Sequence, residues 1–153
     1  MSEQVPPSSG NWAPVPITEG EWAGWSAWRH DAFETLAGPF YEKIDENGEA
    51  VAAFRAEPRH MNGGGNMHGG CMMTFADSAI FTIASRELDG AFGVTLSMTS
   101  DFLNPASVGQ LIEARGRVVR SGGKTIFVEG LATADGTPIL RFSGIIRKVS
   151  SLG

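Results

Sequence analysis

Apolar and polar positions change period several times along the 153-residue chain, and each change marks an element. Residues 1–17 carry Pro6, Pro7, Pro14 and Pro16 among Ser and Gly and show no period, so a flexible N-terminal arm is predicted there, followed by a single domain over 18–153. Thr18-x-x-Glu21 reads as a capping box, with Trp22, Trp25 and Trp28 behind it at roughly helical spacing. Asp31-x-x-Glu34 repeats that signal, and Gly38-Pro39 stops the second short helix. From Phe40 the alternation suits strands: residues 40–45 and 49–56 flank Glu46-Asn47-Gly48, a hairpin turn. After a glycine-rich loop over 57–67, Met72, Phe75/Ala76, Ala79/Ile80 and Ile83 recur at 3.6-residue spacing. One helix of about 30 Å is predicted from Gly69 to about Leu88, ending at Asp89-Gly90. Strand-like stretches follow at 93–102, 110–120, 124–134 and 138–149, separated by Asn104-Pro105, Ser121-Gly122-Gly123 and Asp135-Gly136. A helix this apolar among so many strands must lie against a sheet, which makes the class α+β with one sheet and one central helix.

Composition narrows the function classes. The length fits one domain with a real core and no second catalytic domain. A formal net charge of -5 argues against nucleic acid, which asks for a basic face. The single cysteine, Cys71, excludes an intramolecular disulfide and suits a reducing compartment. The N-terminus has neither a basic region nor an apolar core of a leader, and no uncharged run spans a bilayer without glycines interrupting it. A cytoplasmic protein without membrane contact is expected.

The chemistry-bearing stretch is His60-Met61-Asn62-Gly63-Gly64-Gly65-Asn66-Met67-His68-Gly69-Gly70. It brings imidazoles and carboxamides to the start of the long helix, where open N–H groups and the positive dipole end suit an oxyanion. Gly69 and Gly70 let a substrate approach that backbone. Asp77 lies about two turns further on, at the border of the apolar stripe between Met73 and Ile80. Taken singly, the loop could be a connector, His68 a cap and Asp77 a solvated side chain; together they read as a site. Other motifs fail. Gly63-x-Gly65 is followed by His68 where a dinucleotide fingerprint needs glycine, and Gly123-Lys124-Thr125 joins two strands instead of opening a helix. His60, His68 and Asp77 make a poor zinc set, so no metal is expected. Cys71 in the first helical turn reads as a small buried thiol more readily than a nucleophile.

The run Asn62-x5-His68-Gly69-Gly70-x6-Asp77 resembles the signature of the PaaI-type (phenylacetate-degradation-type) hotdog thioesterases, and the element order is similar to theirs. Gly93-Val94-Thr95, Asn104-Pro105-Ala106 and Val119 to Thr125 fall where that family has similar segments. The resemblance covers roughly residues 30–149 and implies a hotdog fold, one antiparallel sheet wrapped around a long central helix. It also implies hydrolysis of acyl-CoA with no cofactor, and a homodimer or homotetramer whose site lies between subunits. By that resemblance Asp77 is nucleophile or general base, Gly69 donates its N–H to the thioester carbonyl, Asn62 and His68 orient substrate or water, and Thr95 helps place the water. The extra glycine in Ser121-Gly122-Gly123 shifts the CoA-contact segment by one position, and Gly63-Gly64-Gly65 makes the loop more flexible than the family pattern.

A substrate with several phosphate charges needs local cations on an acidic chain, and Arg120, Lys124, Arg147 and Lys148 are the candidates. Gly70, Asn104, Ser121, Gly122 and Thr125 complete the expected substrate and CoA contacts. Met72, Met73, Phe81 and Met98 are candidates for the acyl pocket. Two rival readings stay open here, a hotdog acyl-CoA hydratase or dehydratase and a non-catalytic acyl-CoA binding protein.

Overall fold

The computed structural model describes residues 13–149, so most of the arm expected over 1–17 lies outside the described residues. Its described part contains β1 (Val15–Pro16), which pairs with β2 (Ser26–Ala27). The tryptophan helix expected between them does not form. Residues 19–24 are bends and turns, with Ala23 N–H donating to the Gly20 carbonyl at 3.2 Å and Trp25 N–H to that of Trp22 at 3.0 Å. Gly20 and Gly24 sit at φ 78° and 87°, a left-handed backbone that interrupts any right-handed helical path. Glu21, read as a capping residue, pairs instead with Arg55, and Trp22 stacks on Tyr41 at 4.2 Å. The second signal does form a helix. In α1 (Ala32–Ala37) Asp31 Oδ1 accepts the Glu34 N–H at 2.8 Å, and Gly38 is the C-cap.

The hairpin of β3 (Tyr41–Ile44) and β4 (Ala50–Arg55) closes as expected, with Asp45 Oδ1 accepting the N–H groups of Asn47 and Glu49 at 2.9 Å. The long helix is divided. α2 (Gly69–Ile83) ends at Ala84, whose ψ of 9° leaves the helical region, and α3 (Ser85–Leu88) adds one more turn. At 15 residues α2 is about 22 Å long, not 30 Å. The break lets Leu88 turn inward beside Gly93, while Arg86 donates to the Gly48 carbonyl at 2.6 Å.

β5 (Phe92–Phe102), β6 (Leu111–Gly122), β7 (Thr125–Ala134) and β8 (Thr137–Val149) match the four later stretches within a few residues. All pairings are antiparallel, in the order β1-β2-β3-β4-β6-β7-β8-β5. This is the hotdog arrangement. Within the inward stripe of α2, Phe75, Ala76, Ala79 and Ile80 are at most 1% exposed and belong to one core with Phe54, Ile112, Ile126, Leu140, Phe142 and Ile146 of the sheet. Consecutive β4 and β5 are separated by three strands, which leaves the long β5 at the sheet edge beside α2.

Candidate active site

Along β5, Thr95, Met98, Ser100 and Phe102 oppose Ile146, Gly144, Phe142 and Leu140 of β8, all of them buried, so this row faces α2. Opposite it, α2 presents Gly69, Met73, Asp77 and Phe81 at the four-residue spacing of one helix face. The two rows meet rung by rung. A methyl group placed on Gly69 would lie 3.2 Å from Phe102 Cε1, and Ser100 Oγ donates to Met73 Sδ at 2.7 Å. Thr95 Oγ1 donates to Asp77 Oδ1 at 2.6 Å, and Phe81 reaches 3.0 Å from a methyl position on Gly93. A β-bulge between Thr95 and Ser97 ejects Leu96 to solvent, which lets the strand present Thr95 to Asp77.

The helix start is built by capping. His68 is the N-cap of α2 and its Nδ1 accepts the Gly70 N–H at 2.8 Å, which puts the imidazole proton on Nε2. The His68 carbonyl accepts from Cys71 at 2.9 Å and Met72 at 3.2 Å. Of the first four helical N–H groups, only that of Gly69 has no acceptor among the described residues. Gly70 is thus occupied by the cap, and Gly69 alone holds an open donor at the positive end of the helix.

The glycine-rich loop is ordered by Asn62. Its Oδ1 accepts from Gly64 at 2.8 Å and Asn66 at 3.2 Å, which leaves the side-chain NH2 without a partner among the described residues. His60, expected beside His68 at the helix start, is turned into the core at 5% exposure. Its Nδ1 accepts the Glu57 N–H at 3.0 Å, and its Nε2 lies 2.9 Å from the Ala37 carbonyl. Burial and the neighbouring Arg59 cation hold its pKa below the ordinary histidine value. The backbone still links the two histidines, His68 N–H donating to the His60 carbonyl at 2.8 Å. No group of three or more His, Cys, Asp or Glu side chains among the described residues is placed to hold a metal ion. Cys71 is half-buried, and burial pushes its thiol up to about 11, far from a thiolate nucleophile. Of the acyl-pocket candidates, Met73 and Phe81 face β5, Met98 packs against Gly144, and Met72 belongs to the core.

The CoA-contact candidates fall in two places. Ser121↔Ile126 and Gly122↔Thr125 close the β6–β7 hairpin, and Lys148 N–H donates to the Lys124 carbonyl at 2.7 Å. Lys148 and Arg147 pair with Gly93 and Val94 of β5, so these basic residues stand at the Asp77 end of the α2–β5 seam. None of Arg120, Lys124, Arg147 and Lys148 forms an ion pair among the described residues. Asn104 stands apart from them, its Nδ2 donating to the Pro138 carbonyl at 2.8 Å and tying the β5–β6 loop to β8. A recess of about 670 Å³ lies on the outer sheet face, but its three arginines are paired: Arg115 with Asp45, Arg117 with Glu129 and Arg141 with Asp101, each at 2.7 Å. It offers little free charge to a phosphate.

Two residues of this neighbourhood are not marked as site residues by any sequence motif. Phe102 looks like one more strand residue until β5 is known to be the edge against the helix start. Glu34 packs toward Ser78, and burial, reinforced by the nearby Asp31, Glu42 and Asp77 charges, raises its carboxyl to about 7.

The α2–β5 seam thus carries an open helix-end donor and a hydroxyl-held carboxylate. Residues 64–139, which include Gly69, Asp77 and Thr95, match the model of the thioesterase superfamily. The chain is 36% identical over 94 residues to the Pseudomonas aeruginosa protein named "Putative esterase PA0474", covering 60% of this chain and 69% of that one. It is 29% identical over 96 residues to human acyl-coenzyme A thioesterase 13, covering 62% and 68%. Among solved structures, a mutant of phenylacetic acid degradation protein PaaI from Thermus thermophilus superposes with a TM-score of 0.66 at 27% identity, covering 78% of this chain and all 100% of that one. The BH2602 protein of Bacillus halodurans, solved with CoA, gives a TM-score of 0.66 at 25% identity, covering 72% and 74%. The sequence signature, the sheet wrapped on a central helix and these matches lead to one assignment: the chain belongs to the thioesterase superfamily.

Proposed function

We propose that this protein hydrolyses acyl-CoA thioesters to a free acid and CoA, with Asp77 as its catalytic carboxylate and the Gly69 N–H as its oxyanion donor. The observation that carries this is the presence, on the one face of α2 that meets the edge strand β5, of both the open Gly69 N–H and a carboxylate oriented by Thr95. The Gly69 donor holds the thioester oxygen where negative charge develops. Asp77 attacks the carbonyl carbon itself or deprotonates a water that does, and the CoA thiolate leaves and takes up a proton. These residues perform the reaction without an organic cofactor. His68 fixes the helix start, and the unpartnered NH2 of Asn62 can orient substrate or water. Human acyl-coenzyme A thioesterase 13 and the CoA-bound BH2602 structure support the substrate class.

One chain does not suffice. Gly69 and Asp77 are eight residues apart on α2, about 12 Å along the axis, too far to act on one carbonyl. A second copy supplies the missing half. β5 is an eleven-residue edge strand with Leu96 and Phe102 more than half exposed, and such an edge pairs antiparallel with itself about a two-fold axis. That pairing brings Gly69 of one copy toward Asp77 of the other.

Thiol release from a panel of acyl-CoA substrates tests the reading. The wild type releases thiol, and Asp77→Asn keeps its fold but loses at least about 100-fold in kcat. Co-refolded Asp77→Asn and His68→Ala chains regain part of the activity, because a heterodimer holds one intact site. Near wild-type turnover by Asp77→Asn would sink the assignment, and parents that never complement would sink the shared site.

A further inference from the structure

We propose that Phe102 determines which acyl groups this site accepts, by limiting substitution at the carbon next to the thioester carbonyl; the inference rests on the acyl-CoA reading above. Phe102 ends β5 and opposes Leu140, so it belongs to the row that faces α2. Its Cε1 and Cζ lie 3.2 and 3.4 Å from where a methyl on Gly69 would sit. In a helix the Cα–Cβ direction tilts toward the N-terminus, the direction in which the first N–H groups also point. The ring therefore stands within van der Waals reach of Gly69, at the helix end that carries the open N–H.

Packing alone does not account for this ring. In the single chain it is 57% exposed although it touches the helix start, so part of its apolar face is left uncovered by its own chain. A carbonyl oxygen bound at Gly69 would put the carbonyl carbon and its two substituents within a few ångströms of that face. One substituent is the hydrocarbon acyl chain, and the other is the thiol arm with its amides. An apolar ring without a donor or acceptor matches the acyl side. Linear chains leave one small CH2 group against the ring, whereas a methyl branch at that carbon would press into it. The neighbouring rung gives no relief, because Ser100 is bonded to Met73. A single methylene decides about 10-fold or more in a packed site.

The test compares kcat/KM for two pairs of equal carbon count, butanoyl-CoA with 2-methylpropanoyl-CoA and pentanoyl-CoA with 2-methylbutanoyl-CoA. The wild type favours the linear member. Phe102→Ala raises the branched-to-linear ratio about 10-fold, Phe102→Leu raises it less, and Phe102→Tyr leaves it near the wild-type value. Should Phe102→Ala fail to fold, the Leu variant and Phe102→Trp, which lowers the ratio further, carry the comparison. Equal losses on both members would put the ring on the thiol side or make it merely structural, and an unchanged ratio in an active Leu variant would likewise overturn the proposal. Absence of thiol release by the wild type from every member of the wider acyl-CoA panel would instead overturn the thioesterase reading, and this inference with it.

Discussion

Replacing Thr95 by Val removes one hydroxyl and little else, which makes it the sharpest probe of how Asp77 is held. Val has nearly the volume of Thr and suits a strand, so β5 should keep its register against β8. What is lost is the 2.6 Å hydrogen bond from Thr95 Oγ1 to Asp77 Oδ1. A hydrogen bond to a charged group contributes about 1.5–3 kcal/mol when shielded from water. This pair is exposed in the single chain, so about 1–2 kcal/mol is the reasonable share, roughly five- to thirty-fold in rate. The loss should fall on kcat, because an orienting bond matters when the carboxylate acts and not when CoA docks. Steady-state thiol release with the wild type, Thr95→Val and Thr95→Ser measures it. Thr95→Ser keeps the donor and should recover most of the rate, and the melting temperatures of all three should agree within a few degrees. A Val variant within twofold of wild-type kcat, or a Ser variant as slow as Val, would refute the orienting role.

Two further outcomes follow from charges in the structure. Lys124→Ala should raise KM several-fold with kcat little changed, raised salt should mimic it, and the effect should vanish with a pantetheine thioester that lacks the nucleotide. An equal change in KM on that truncated substrate would show that Lys124 does not meet the nucleotide. Glu34→Gln should stabilise the protein at pH 8 by about 1–2 kcal/mol, a few degrees in Tm, and leave it unchanged near pH 4. The sign follows from its carboxyl being raised from 4.5 to about 7 by burial: between those values the folded state holds a proton that the unfolded chain has released, so stability falls as pH rises through that window. Thermal unfolding at both pH values checks it, and an equal Tm change at each would refute it.

Much of this architecture is legible in the chain because its causes are local. Alternation marks β5 to β8 within a few residues, the Asp45–Gly48 turn closes its own hairpin, and the glycine pair before an apolar 3.6-residue stripe marks where α2 starts. The Asn62, His68, Gly69 and Asp77 spacing is legible for the same reason, since all four lie within sixteen residues of one loop and helix. Local signals mislead where a distant partner decides. The tryptophan segment has helical spacing, yet Trp22 gains more by stacking on Tyr41, and Trp28 by donating to Glu42 at 3.1 Å, across a hairpin that local spacing does not encode. His60 and His68 look alike in the sequence, but one imidazole fills a gap between Phe54 and the end of α1 while the other caps α2. The position of β5 is the largest such decision. Its neighbour is β8, the last strand of the described chain, and that non-local pairing turns one row of β5 toward α2. Only then do Thr95 and Asp77 meet, eighteen residues apart in sequence, and only then does Phe102 lie against Gly69. Backbone preferences act over a few residues, whereas sheet order is settled by which apolar faces can be buried together, and that is a property of the whole chain.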